Sequence, residues 1–209
     1  MDPRFAEVVT SESELRALIG HPSEVVVKGR LDALDDHCRA YIAKSPFVIV
    51  ASADGAGGMN VSPKGDPPGF VRVLDDSTIA IPERPGNRRA DTFSDLLQNP
   101  HVALIFLIPG KQETLRVSGT AIMVRDRWLC DRMAIAGKAP ALALVVTIRE
   151  VSIHCAKCVI RSKLWDPGHW PDLAGVPSLA RAIVDQARMT RTPEQVQAFI
   201  DKDHRERLY

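Results

Sequence analysis

"PERPGNRRADTFSDLLQNP", residues 82–100, decides the fold, because it sets one helix into a run of strands. Before it, "GFVRVLDD" and "STIAIPE" read as short strands joined by a turn at Asp75–Asp76. After it, "HVALIFLIPG" (101–110) is apolar throughout and reads as a strand buried on both faces. "ETLRVSGTAIMVRD" (113–126) alternates along its length, with Gly119 as a bulge or bend. Inside the stretch, Pro85-Gly86-Asn87 makes a turn, and Asn87 is placed to cap a helix over Ala90, Phe93, Leu96 and Leu97.

Working outward, "PFVIVASAD" (46–54) is a strand closing on the glycine-rich turn "DGAGG". "MNVSPKGD" follows as a second strand that ends at Ser62 and breaks at Pro63. "ALALVVTIREVSIHCA" is another long strand, preceded by a helix around 127–136. The N-terminal segment is helical: "TSESELRALIG" has a capping-box spacing from Ser11 to Glu14, and Leu31, Leu34, Cys38, Tyr41 and Ile42 recur at helical spacing. The tail is helical too, with Thr192 and Pro193 opening the last helix.

Six or seven strands joined by short turns favour an antiparallel sheet, and so many strands with apolar content on both faces tend to close on themselves. The expected fold is a mostly β, antiparallel barrel with peripheral α-helices, as one domain over 1–209 with helical extensions at about 1–44 and 176–209. A parallel βαβ sheet is the weaker alternative, since helices do not alternate with strands.

The composition, 45% hydrophobic and 25% charged, is that of a globular chain. A net charge of +1 gives no global field for nucleic acid or an anionic membrane. No apolar run approaches a bilayer span, the first residues do not read as an export signal, and four irregularly spaced cysteines favour reduced thiols. The expected location is the cytoplasm.

Arg88 and Arg89 stand where a helix N-terminus is already positive, which is mildly unfavourable unless an anion lies between them. With the first-turn N–H groups they form a phosphate site in miniature, against the alternative of solvated surface charges. Lys64 in "NVSPKGD" (60–66) could hydrogen-bond a planar ring edge and stabilise negative charge on it, or sit in a plain surface turn. "HCAKCVIRSKLWDP" (154–167) holds a single Cys155–Cys158 pair, half of what a four-cysteine zinc site needs, and a redox dithiol lacks its usual βαβ setting. The cysteines read as small residues where a strand meets a helix, while Lys157, Arg161, Lys163 and Trp165 suit an anion or a flat ring. "HRERLY" reads as a solvated terminal turn.

Together, "SPKGDPPGFVRV", "IPERPGNRRADTFSDLLQNPHVALIFLIPG", "ETLRVSGTA" and "HCAKCVIRSKLW" strongly resemble the pyridoxamine 5′-phosphate oxidase-like flavoproteins, over roughly residues 35–170. The resemblance implies a split β-barrel with FMN held between the subunits of a homodimer. It puts Arg88 and Arg89 on the FMN phosphate and Ser62, Pro63, Lys64, Gly65 and Asp66 against the ring. It adds Ile81, Pro82, Arg84, Asn87, Thr114 and Arg116 to the cofactor site, with Lys157, Arg161, Ser162 and Trp165 approaching from the partner. "RSKLWDPGHWPDL" departs from the arginine–histidine segment with which pyridoxine phosphate oxidases bind their substrate's phosphate, so the implied reaction is flavin-dependent oxidoreduction of another small molecule. A non-enzymatic flavin carrier or sensor is the rival reading, and a haem-handling relative of the same barrel the third.

Overall fold

A computed structural model describes residues 4–209, so the first three residues of the N-terminal stretch lie outside it. Ser11 accepts from the Glu14 N–H to start α1 (Glu12–Ile19), which Gly20 ends at φ 75°. A second short helix, α2 (Glu24–Lys28), follows Pro22. The next helix, α3 (Asp36–Lys44), begins later than the spacing from Leu31 predicts, because Asp35 caps it by accepting from the Cys38 N–H. Leu31 instead exchanges backbone hydrogen bonds with Val151, at 2.9 and 2.8 Å.

The strands and remaining helices follow in the order β1 (Phe47–Ala53), β2 (Met59–Gly65), β3 (Arg72–Asp75), β4 (Thr78–Pro82), α4 (Asp91–Leu96), β5 (His101–Leu107), β6 (Thr114–Val124), α5 (Arg127–Arg132), β7 (Ala143–His154), α6 (Lys157–Ser162), α7 (Leu179–Gln186) and α8 (Pro193–Glu206). The strands form one antiparallel sheet in the order β2-β1-β5-β6-β7-β4-β3. The β6–β7 hairpin is its spine. β5 pairs with the first half of β6, and β4 pairs with the first half of β7, across from the second half of β6. The sheet thus coils as two halves, with β2 and β3 as its edges: a split barrel with peripheral helices.

Gly119 is the corner. The register slips between Ser118 and Gly119, and a Cβ at Gly119 would stand 2.0 Å from the Thr147 carbonyl oxygen. Only glycine admits that approach.

The core lies inside the coil, with Ile42 of α3, Val48 and Val50 of β1, Phe106 of β5, Leu115 of β6, Ile81 of β4 and Val151 of β7 all buried. A smaller cluster, Leu129 and Met133 with Ala80 and Ala143, seats α5 on the β4–β7 side.

Two strand expectations are corrected. β5 is buried on one face only: Val102, Leu104 and Phe106 point inward, while His101, Ala103 and Ile105 are exposed. Two of its outward residues, Ala103 and Ile105, are themselves apolar, which disguised the alternation. β2 does not break at Pro63 but continues to Gly65, with Pro63 opposite Ile49. An edge strand tolerates proline because one side of it needs no ladder donor. Among the described residues, no helix is long and apolar enough to cross a membrane.

Candidate functional site

A cleft of about 820 Å³ opens along the β2 edge. One wall is Asn60–Gly65, the next is the loop Pro82–Phe93, and the third is Lys138–Ala141 with Tyr209. The volume falls in the range of about 300–1,000 Å³ usual for small-molecule and cofactor sites.

A short polar chain holds the first two walls together. Ser52 of β1 donates to Asp95 of α4 at 2.6 Å, and Asn60 of β2 donates to Thr92 at 3.1 Å. Ser52 and Thr92 are buried, so these bonds replace water and lock α4 against the β1–β2 hairpin. None of them is visible in the sequence, because the partners lie 43 and 32 positions apart.

The loop that α4 anchors differs from expectation. The helix starts at Asp91, so Arg88 and Arg89 precede it rather than forming its first turn. Asn87 caps the loop instead of the helix, its Oδ1 accepting from the Arg89 N–H at 3.0 Å. Arg88 and Ala90 both take left-handed backbone, φ 62° and 57°, which no propensity foretells for these residue types. Each such residue costs on the order of 1–3 kcal/mol, a strain that clusters at ligand sites. Both guanidinium groups stay exposed, with Arg89 2.8 Å from Asp91.

Lys64 lies half-buried on the facing wall. Its Nζ donates to Glu83 at 2.9 Å and stands 5.2 Å from the centre of the Phe93 ring, so its charge is fixed in place. Behind it, Arg84 donates to Asp66 at 2.6 Å and to the Met133 carbonyl at 2.7 Å. The second Asp66 oxygen accepts from the Tyr209 hydroxyl at 2.9 Å. That bond, with some burial, raises the Tyr209 phenol above its ordinary pKa. "HRERLY" is therefore no solvated turn: its last residue lines the cleft. No local signal marks this, since Tyr209 and Asp66 are 143 positions apart.

The structure brings Ser62, Pro63, Lys64, Gly65, Pro82, Arg84, Asn87, Arg88 and Arg89 to one cleft. Asp66 acts behind its wall, and Ile81 is buried in the core. The remaining residues lie outside the cleft of the single chain. Thr114 is buried where β6 pairs with His154, and Arg116 faces a hollow of about 240 Å³ on the outer sheet with Ile49, Val61 and Ile105. Lys157, Arg161 and Ser162 are exposed on α6, and Trp165 donates to the Lys111 carbonyl at 2.8 Å. Cys155 and Cys158 are exposed free thiols at the β7–α6 junction.

The family model for pyridoxamine 5′-phosphate oxidase matches residues 34–155. No curated protein matches the sequence. Among solved structures, HupZ of Group A Streptococcus is similar at 15% identity, over 58% of this chain and 98% of its own, with a TM-score of 0.46. An FMN-binding protein of Syntrophomonas wolfei is similar at 15% identity, over 55% and 86%, with a TM-score of 0.41. The haem storage protein HutZ of Vibrio cholerae is similar at 14% identity, over 58% and 94%, with a TM-score of 0.42. At these levels no neighbour's ligand transfers to this chain. The family model spans more than half of the sequence, and the chain belongs to the pyridoxamine 5′-phosphate oxidase family.

Proposed function

We propose that the cleft binds FMN and that the protein is an FMN-dependent oxidoreductase acting on a small organic substrate or a nicotinamide donor. The observation that carries this reading is the meeting of two exposed arginines, on a strained loop, with the fixed charge of Lys64 in one cleft of cofactor size. The donor set suits a monophosphate at one end and an electron-rich ring edge at the other. Arg88 and Arg89 would hold the phosphate with charge-assisted hydrogen bonds. Ser62–Gly65 would offer edge-strand backbone groups to the ring, and Lys64 would stabilise negative charge there. Bound FMN supplies the two-electron redox chemistry, and the protein's part is to bind, orient and set the local charge.

Two features support a site shared by two copies. Lys157, Arg161, Ser162 and Trp165 lie away from the cleft of their own chain, and the outer sheet exposes Phe47, Val61 and Ile105. A symmetric dimer would cover those apolar residues and bring α6 to the other copy's cleft.

A flavin carrier is the second reading, favoured by the paired state of the acids in and behind the cleft. Glu83 holds Lys64, Asp66 holds Arg84 and Tyr209, and Asp91 holds Arg89. Haem fits less well, since among the described residues no histidine, cysteine or methionine lines the cleft and Tyr209 is engaged by Asp66.

Mass spectrometry of the released cofactor tests the proposal, with FMN expected. FAD, or a colourless protein indifferent to added FMN, overturns it. Anaerobic reduction of the bound flavin by NADH or NADPH then separates enzyme from carrier.

A further inference from the structure

Tyr209 touches both sides of the cleft. Its hydroxyl donates to Asp66 on the β2 side, and its ring lies 5.6 Å from the Arg84 guanidinium carbon. Across the gap, its backbone oxygen accepts from Lys138 Nζ at 3.0 Å. Tyr209 therefore bridges two walls that are also joined behind the cleft through the Arg84 bond to Met133.

The anchoring is almost wholly polar. Leu208 is 61% exposed and adds no buried apolar contact, and α7 and α8 pack on one another more than on the barrel. A segment held by a few hydrogen bonds at the end of a loosely seated helical hairpin opens at low cost, whereas one held by buried apolar side chains does not. Asp66 and Arg84 keep each other when the tyrosine leaves, so opening strands no buried charge.

We infer that Tyr209 is a strap between two walls of the cleft, and that a ligand exchanges with solvent faster when this latch opens. The inference rests on the cleft being the FMN site. The latch controls rate rather than affinity: it slows entry and exit alike, and it keeps a bound cofactor while its substrate turns over.

The chain has two tyrosines, and Tyr41 is buried with its hydroxyl on the Glu113 carbonyl, which makes it an internal reference. In protein labelled with 3-fluorotyrosine, the Tyr209 fluorine signal, assigned by Tyr209→Phe, should stand clear of the free amino acid's position. A signal at the free position shows an undocked segment and overturns the strap. In stopped flow with FMN, Tyr209→Ala should speed association and dissociation together, each by roughly tenfold, with little change in Kd. Tyr209→Phe, which keeps the ring on Arg84, should fall between. A rise in the dissociation rate alone would make Tyr209 an ordinary contact and refute the latch. Wild-type protein that takes up no FMN refutes the flavin reading and the gating of FMN, and the fluorine spectrum then decides the docking separately.

Discussion

The Arg84 guanidinium donates to the Asp66 carboxylate at 2.6 Å, and the aspartate side chain is only 1% exposed. This pair ties the exit of β2 to the exit of β4 behind the cleft. Removing one member leaves the other's charge buried, so Arg84→Met should destabilise the fold by about 3–5 kcal/mol. Asp66→Leu with Arg84→Met should recover part of that loss. Urea midpoints of wild type and the two variants check both statements.

Arg88→Ala with Arg89→Ala should weaken FMN binding by several kcal/mol, since each charge-assisted bond contributes about 1.5–3 kcal/mol. Riboflavin lacks the phosphate, so it should bind wild type weakly and barely sense the change. Titrations followed by flavin fluorescence decide it. Unchanged FMN affinity would leave the arginines as surface charges.

Gly119→Ala drives a methyl group into the Thr147 carbonyl, which is backbone and cannot step aside. The cost of such overpacking is typically about 1–3 kcal/mol, and this site should reach or exceed the upper end. A lowered denaturation midpoint with the slope unchanged is the expected result.

The Cys38 thiol is pushed up to about 11, first by burial and then by its neighbour Asp35. Folded protein therefore keeps a proton that the unfolded chain loses near the ordinary thiol value of about 9. The native state binds more protons between those limits, so this stabilisation is intact below pH 9 and falls as pH rises toward 11. Cys38→Ala should flatten that part of the stability profile. Reagents for thiols should meanwhile modify Cys155 and Cys158 quickly and reach buried Cys38 and Cys130 only on unfolding.

FMN retention should track dimerisation. Sedimentation over a dilution series, with flavin and protein absorbance followed together, reads this directly. A monomer that keeps all its FMN would remove α6 from the site.

The features legible in the sequence were those whose causes are local. Ser11 and Thr192 start helices by bonding three residues ahead, and Gly119 marked its own bend. The resemblance put the Ser62–Gly65 edge and the Asn87–Arg89 loop on one ligand, and in the fold both line one cleft. What escaped depends on neighbours distant in sequence. The start of α4 is set by left-handed turns at Arg88 and Ala90, under the grip of Ser52 and Asn60 on the helix. The continuation of β2 through Pro63 needs its position at the sheet edge, and Tyr209 reaches Asp66 only in the folded chain.

Pro63 has a consequence for how these molecules meet one another. An open strand edge invites strands from other chains to add to it, the first step toward fibres and misassembly. Proline has no N–H to offer such a newcomer, and here it sits midway along the edge strand β2, one residue from Lys64. Growth of the sheet past this rim is therefore blocked where the cleft opens. The same residue that looked like the end of a strand disfavours the addition of another chain along the rim of the cleft.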